Sequence, residues 1–322
     1  MGQLIAGRFI MGMGVGQAGV VGPIYLAEVA PTASRGLLVG LYASSEYVGV
    51  LIGLRGFSPE DPRIIEEVQS IKREVSSKKT TGKSKWPFLR QWKALFARAN
   101  LHRWMFLLSA QLLSQWSGTN AITTYAPKFF ALLNVTGKSE KLFKTAIFGV
   151  VKLVSALISA FFFVDRFGRK RTLLGGIVLQ LLALLYIAIF MTAWDAAGKP
   201  DSSNALRAAA GSVAALYVTG VGYAFGWNCI QYLINAEILP SEVRTLGTSL
   251  LMCVHYANKF ALVKALPSMM LDDALQPKGT FWFFFAVASI GLVWGIVWLP
   301  ETSQKSLEET STVFEKQSTK NP

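Results

Sequence analysis

The side chains in this sequence that could do chemistry sit inside runs that are otherwise apolar. Gln111, Ser114, Gln115, Ser117, Gly118, Thr119 and Asn120 crowd into ten residues. Lys152 is followed by Ser155 and Ser159 at helical spacing. Tyr223, Trp227, Asn228, Gln231 and Tyr232 form a third group, and His255, Tyr256, Asn258 and Lys259 a fourth. An amide offers both a donor and an acceptor, which suits recognition of a hydroxylated ligand. An ammonium deep in an apolar run costs roughly 2.5–3.5 kcal/mol on insertion scales, so it calls for a partner or a use. No Gly-Lys-Ser/Thr phosphate loop, Cys/His metal spacing or nucleophile motif is present, so neither an enzyme nor a metal or cofactor site is expected.

The elements that must hold these groups are transmembrane helices. Of 322 residues, 52% are hydrophobic and 16% charged, and the mean hydropathy is +0.39; an average soluble domain carries about 25% charged residues. The apolar residues fall into eight blocks, 4–26, 37–54, 104–126, 142–164, 172–193, 208–235, 245–266 and 280–299. Most reach the ~20 residues needed to cross a hydrocarbon core of roughly 30 Å. The fold expected is all-α, a multi-pass bundle in a lipid bilayer, with no cleavable signal peptide.

The formal net charge of +13 gathers in the polar gaps, not on a nucleic-acid face, so no nucleic-acid partner is expected. One basic segment covers 55–103, and another is Arg166-Phe167-Gly168-Arg169-Lys170-Arg171. The positive-inside rule puts both in the cytoplasm. Asn134-Val135-Thr136, a glycosylation sequon, then falls outside. Cys229 and Cys253 both lie within predicted spans and read as small packing residues.

One internal repeat carries weight: Glu28-Val29-Ala30-Pro31-Thr32-Ala33-Ser34-Arg35 and Glu237-Ile238-Leu239-Pro240-Ser241-Glu242-Val243-Arg244 share Glu, Pro and Arg at equal spacing. Each closes a Gly-rich span, as duplicated transporter halves do. Copies on one membrane face need an even number of spans between them, and the blocks supply five. One span is therefore expected to be absent between Leu54 and Trp104.

These residues resemble the sugar and quinate porters of the major facilitator superfamily. Gly7-Arg8-Phe9, Pro23-x-Tyr25 and Glu28/Pro31/Arg35-Gly36 are similar to the family's fourth helix and following loop. Asp165-Arg166-Phe167-Gly168-Arg169-Lys170 resembles the loop after its eighth helix, and Leu299-Pro300-Glu301-Thr302 with Ser306-Leu307-Glu308-Glu309 its C-terminal signature. The resemblance implies twelve helices, of which about eight are expected here. Residues 1–54 are then a two-helix remnant of the first bundle, 55–103 a basic cytoplasmic linker, 104–299 a six-helix second bundle and 300–322 a cytoplasmic tail.

It also implies a discontinuous helix at 104–126, with glutamine and asparagine binding substrate hydroxyls. At about 100° per residue, Gln111, Ser114, Gln115 and Gly118 share one face, and Asn120 joins it only if the helix breaks near Ser117-Gly118. The substrate-binding set expected is Gln111, Gln115, Asn120, Lys152, Trp227, Tyr256 and Asn258; the alternative is interhelical hydrogen bonding without a ligand. The gating set implied is Glu28, Arg35, Asp165, Arg169, Glu237, Arg244 and Glu301, carboxylate and guanidinium groups at cytoplasmic helix ends, with topology-setting charge as the alternative. Ser114, Tyr232 and Tyr256 depart from residues common in hexose porters, and Phe148-Gly149-Val150-Val151-Lys152 resembles quinate-type porters more closely.

The function expected is transport of a sugar, polyol or quinate-like polyhydroxy acid by alternating access, secondary active with protons or facilitative, in the plasma membrane. With first-bundle helices absent, little or no uptake is expected of the chain as it stands. A non-transporting sensor or receptor homologue and a non-functional fragment are the alternatives.

Overall fold

The computed structural model describes residues 92–133, 137–196, 203–271 and 273–299. They fold as helices joined by short turns: α1 Arg98–Trp116, α2 Thr119–Thr124, α3 Ala126–Leu132, α4 Lys138–Ile158, α5 Val164–Phe167, α6 Arg169–Ala196, α7 Ser203–Tyr223, α8 Cys229–Ile238, α9 Ser241–Met269 and α10 Gln276–Val297. Two wider π turns, Ser159–Phe163 and Ala224–Asn228, connect α4 to α5 and α7 to α8. Blocks 1–54 and most of the basic segment lie outside the described residues.

Among the described residues, four spans are long and apolar enough to cross a membrane: Ser139–Phe163, Arg169–Trp194, Leu206–Asn235 and Gln276–Val297. Their phenylalanine, leucine and isoleucine side chains, such as Phe161, Phe162, Leu182, Ile189 and Ile290, point outward, as lipid-facing positions do when hydrocarbon replaces water as the solvent. α1 and α9 carry more polar groups and form the inner walls: α1 packs on α9 and α10, while α6 lies between α7 and α10.

The α6–α7 contact is backbone on backbone. A Cβ on Gly222 would stand 2.7 Å from both the Gln180 nitrogen and the Gly176 oxygen, and one on Gly176 would collide with Gly226. With no hydrophobic force between helices in lipid, such close approach of small residues is how they gain dispersion contact.

The block read as one span at 104–126 is three short helices, α1 to α3. The first break falls at Ser117-Gly118, where Gly118 takes φ 90°, and the second at Tyr125, followed by Pro127, which cannot donate to a continuing ladder. Cys253 is corrected: expected as a packing residue, it is exposed on α9.

Candidate functional site

A polar cavity of about 150 Å³ opens among α2, α4, α7, α8 and α9. Its lining includes Asn120, Lys152, Tyr223, Gln231, His255 and Lys259. Each reaches it through a local feature of its helix. The positive φ at Gly118 ends α1 and restarts the chain as α2, which rotates Asn120 towards the cavity. Gln180 on α6 holds that break, its Nε2 donating to Thr119 Oγ1 at 2.9 Å and to the Ser117 carbonyl at 3.2 Å. An interrupted helix leaves carbonyls without their helical donors, and a buried amide replaces them.

The π turn at Ala224–Asn228 acts similarly on the next wall. One extra residue in a turn shifts the phase of everything beyond it, and Asn228 at its end with Gln231 and Tyr232 beyond it line the cavity. The turn also leaves the Phe225 carbonyl to accept from Ser159 Oγ at 3.3 Å. Ser159 belongs to the other π turn, so the two irregular segments meet.

Lys152 sits 1% exposed near the middle of the Ser139–Phe163 span. Ser155 and Ser159 on its face are buried as well, so the polar stripe points inward. Its ammonium donates to Thr123 Oγ1 at 3.0 Å and lies over the rings of Tyr223 (5.4 Å) and Phe148 (5.9 Å). A hydroxyl acceptor and two ring faces soften the desolvation of a cation.

Beside it, Asn120 Nδ2 donates to Gln115 Oε1 at 2.8 Å and to the Tyr223 hydroxyl at 3.0 Å. With its nitrogen so fixed, the side-chain carbonyl of Asn120 is the group left to address a ligand. Gln115 Nε2 lies 3.1 Å from His255 Nδ1, and Gln231 Nε2 donates to Gln111 Oε1 while lying 2.8 Å from the same imidazole nitrogen. Gln111, Gln115, Gln231 and His255 thus tie α1, α8 and α9 together at the cavity floor.

Of the expected binding residues, Asn120 and Lys152 line the cavity. Gln111 and Gln115 are fully buried behind it and act through their neighbours. Trp227 is buried against Trp294, with ring centroids 6.0 Å apart. Tyr256 stands edge-on to His255 and beneath the Lys259 ammonium. Asn258 is committed to structure: its carbonyl accepts from Trp116 Nε1 at 3.1 Å and its amide donates to the Val254 carbonyl. Thr123, Thr124, Tyr223, Asn228, Gln231, Tyr232, His255 and Lys259 complete the lining. Thr123 had no signal in the sequence, since its spacing from Asn120 gains meaning only once the helix has broken.

Among the gating residues, Arg169 Nη2 and Glu237 Oε1 form an ion pair at 3.2 Å, both nearly inaccessible. The pair ties α6 to α8 within this bundle. Arg244 Nε donates to the Leu239 carbonyl at 3.2 Å, closing the turn after α8. Asp165 lies on α5, and Gly168, with φ 93°, turns the chain from α5 into α6. Lys170 donates to the Ile296 carbonyl near the end of α10, a favourable place for a cation. Glu28, Arg35 and Glu301 lie outside the described residues.

The family model described as "Sugar (and other) transporter" matches residues 1–54 and 50–314, two matches that meet at the expected junction near Leu54. The quinate permease of Neurospora terricola is 27% identical over 382 residues, covering 97% of this chain and 69% of that protein. The MFS-type transporter qa-x of Neurospora crassa is 27% identical with the same coverage. Both alignments are longer than this chain, so stretches of the relatives have no counterpart within it. Among solved structures, the proton:xylose symporter XylE bound to 6-bromo-6-deoxy-D-glucose matches with TM-score 0.68 at 18% identity, covering 95% of this chain and 73% of that one. The inward-open conformation of XylE from E. coli matches with TM-score 0.56 at 17% identity, covering 90% and 68%. These two likenesses concern the fold.

Proposed function

We propose that this chain, which belongs to the sugar (and other) transporter family of the major facilitator superfamily, carries the substrate-selecting half of a transporter for a polyhydroxylated carboxylic acid. It is an integral multi-pass membrane protein of a sugar-transporter family, and the finer reading rests on one observation: the Lys152 ammonium, buried near the middle of a span, lies on a cavity beside the Asn120 amide and the Tyr223 hydroxyl. A neutral sugar needs no cation at that depth. A substrate carboxylate would accept a charge-assisted hydrogen bond from Lys152 in place of the Thr123 contact, while Asn120, Asn228 and Gln231 address ring hydroxyls.

The several sugar-porter relatives named quinate permease fit this chemistry. Gln111 and Gln115 belong to the same reading as residues that orient His255 and Asn120, and Trp227, Tyr256 and Asn258 as supports of the cavity wall. The division into 1–54, 55–103, 104–299 and 300–322 belongs to it too, with Arg169, Glu237 and Arg244 setting the end of α8 from which a gate would swing.

The test is Lys152→Gln in purified protein, read by binding of quinate and of the neutral cyclitol myo-inositol. Quinate affinity falls about tenfold or more, the loss of a charge-assisted contact worth roughly 1.5–3 kcal/mol, while myo-inositol binding changes little. Equal losses for both ligands would assign Lys152 to structure.

A further inference from the structure

Four buried side chains meet at the cavity floor, and one of them is an imidazole. His255 on α9 is 4% exposed, Gln231 on α8 1%, and Gln111 and Gln115 on α1 are fully buried. Gln231 Nε2 lies 2.8 Å from His255 Nδ1, and Gln115 Nε2 lies 3.1 Å from the same atom. An amide nitrogen donates and does not accept, so Nδ1 is the acceptor of this cluster and the neutral imidazole carries its proton on Nε2. Gln111 Oε1 also comes within 3.0 Å of Nδ1, but that oxygen already accepts from Gln231 Nε2. The orientation of each amide passes to the next group. With its nitrogen on His255, Gln115 turns its oxygen to Asn120 and accepts from Asn120 Nδ2 at 2.8 Å, which leaves the Asn120 carbonyl to the cavity. Gln231 lines the cavity too, and with its nitrogen held by His255 and Gln111 its carbonyl is the group left to a ligand.

We propose that His255 is a positioning residue that sets the hydrogen-bond polarity of the cavity: with its proton on Nε2, Asn120 and Gln231 present carbonyls, and the ligand is recognised through hydroxyls that donate. The inference rests on the polyhydroxy-acid reading above and deepens it by naming the direction of the hydrogen bonds to the ring hydroxyls. A proton on Nδ1 would instead confront two amide nitrogens, and Gln115 and Gln231 would have to turn their oxygens towards it. Gln115 would then offer an N–H to Asn120, and Asn120 would turn its own oxygen inward and its amide nitrogen to the ligand. Tyr223, which accepts from Asn120 Nδ2 at 3.0 Å, fits either orientation, because a phenolic hydroxyl donates as well as it accepts. A buried network of this kind has two self-consistent orientations, and the tautomer of one imidazole selects between them. Specificity follows, since a ligand group that accepts without donating leaves a buried carbonyl unpaired.

The experiment has two arms. The first reads the tautomer by nitrogen-15 NMR of the purified chain labelled in histidine; the sequence holds two histidines, and His102→Gln assigns the spectrum. His255 Nδ1 resonates as an unprotonated nitrogen and Nε2 as a protonated one. The reverse pattern, with quinate still bound, would overturn the inference and leave the polyhydroxy-acid reading standing. This arm needs no substitution at the site, so it decides the tautomer even if a His255 variant fails to fold. The second arm measures equilibrium binding of quinate and of its deoxy and deoxyfluoro analogues at each ring hydroxyl, to the unaltered chain and to His255→Asn and His255→Leu. Fluorine can accept but not donate. At one or more positions the deoxyfluoro analogue therefore binds as weakly as the deoxy analogue, both about tenfold below quinate. His255→Asn, whose carbonyl replaces the Nδ1 acceptor, keeps that pattern, whereas in His255→Leu the amides turn and the deoxyfluoro analogue binds severalfold more tightly than the deoxy one. Deoxyfluoro analogues tighter than deoxy at every position of the unaltered chain, or an unchanged pattern in His255→Leu, would overturn the inference. No quinate binding by the unaltered chain would overturn the polyhydroxy-acid reading and this inference with it.

Discussion

Gly118 is the residue on which the geometry of the cavity turns, and Gly118→Ala tests that directly. Its φ of 90° lies in the left-handed region, where a side chain costs about 1–2 kcal/mol. An added Cβ would also run into the ring of Phe284 on α10, which is fully buried. Overpacking of this kind costs about 1–3 kcal/mol, so the two effects together predict a loss of about 2–5 kcal/mol. They can be separated, because only the collision depends on Phe284. In a Phe284→Ala background, which removes the ring atoms the new Cβ would meet, most of the overpacking is gone and the backbone strain remains. The double-mutant cycle should therefore show a favourable coupling of about 1–3 kcal/mol. The assay is thermal unfolding of the purified protein in detergent, with ligand binding alongside. Affinity should fall in Gly118→Ala even where the fold survives, because Asn120 leaves the cavity once α1 runs on without its break. A Gly118→Ala protein with unchanged melting temperature and binding would refute the reasoning, since the break would then not depend on the left-handed residue.

Two further outcomes follow from packing. Gly222→Leu forces α6 and α7 apart where their backbones touch, and should cost at least the 1–3 kcal/mol typical of overpacking; a melting temperature within error of the unaltered chain would show that the helices separate freely. Glu237→Met leaves the Arg169 guanidinium buried without its carboxylate, a loss of about 3–5 kcal/mol, whereas Arg169→Met combined with Glu237→Met should be milder than either single change. Melting curves of the three variants check this, and additive losses would show that the pair is not coupled.

The apolar blocks and their polar interruptions determined a great deal. Membrane crossing requires about 20 apolar residues per span because hydrocarbon offers the backbone no partners, so the all-α architecture is written into composition and length. The Ser117-Gly118 step marked where a helix breaks cheaply, and Lys152 with Ser155 and Ser159 marked an inward face, because a charge in lipid has nowhere else to go. The Arg169–Glu237 pair was visible as two charged residues at helix ends, though not as partners of one another.

Tertiary structure decided which polar groups reach the cavity. Helical phase can be read from sequence only while the turn is regular, and the break at Gly118 and the π turn at Ala224–Asn228 each reset it. That is why Thr123, Asn228, Gln231 and Tyr232 joined the lining while Gln111 and Gln115 withdrew behind it. On α9, Asn258 and Lys259 are neighbours 100° apart in helical phase, as ideal geometry of about 3.6 residues per turn dictates. Packing against Trp116 claims the amide and turns the lysine to the cavity. A sequence records what each helix would prefer to bury, whereas the occupant of a shared cavity depends on which helices close around it.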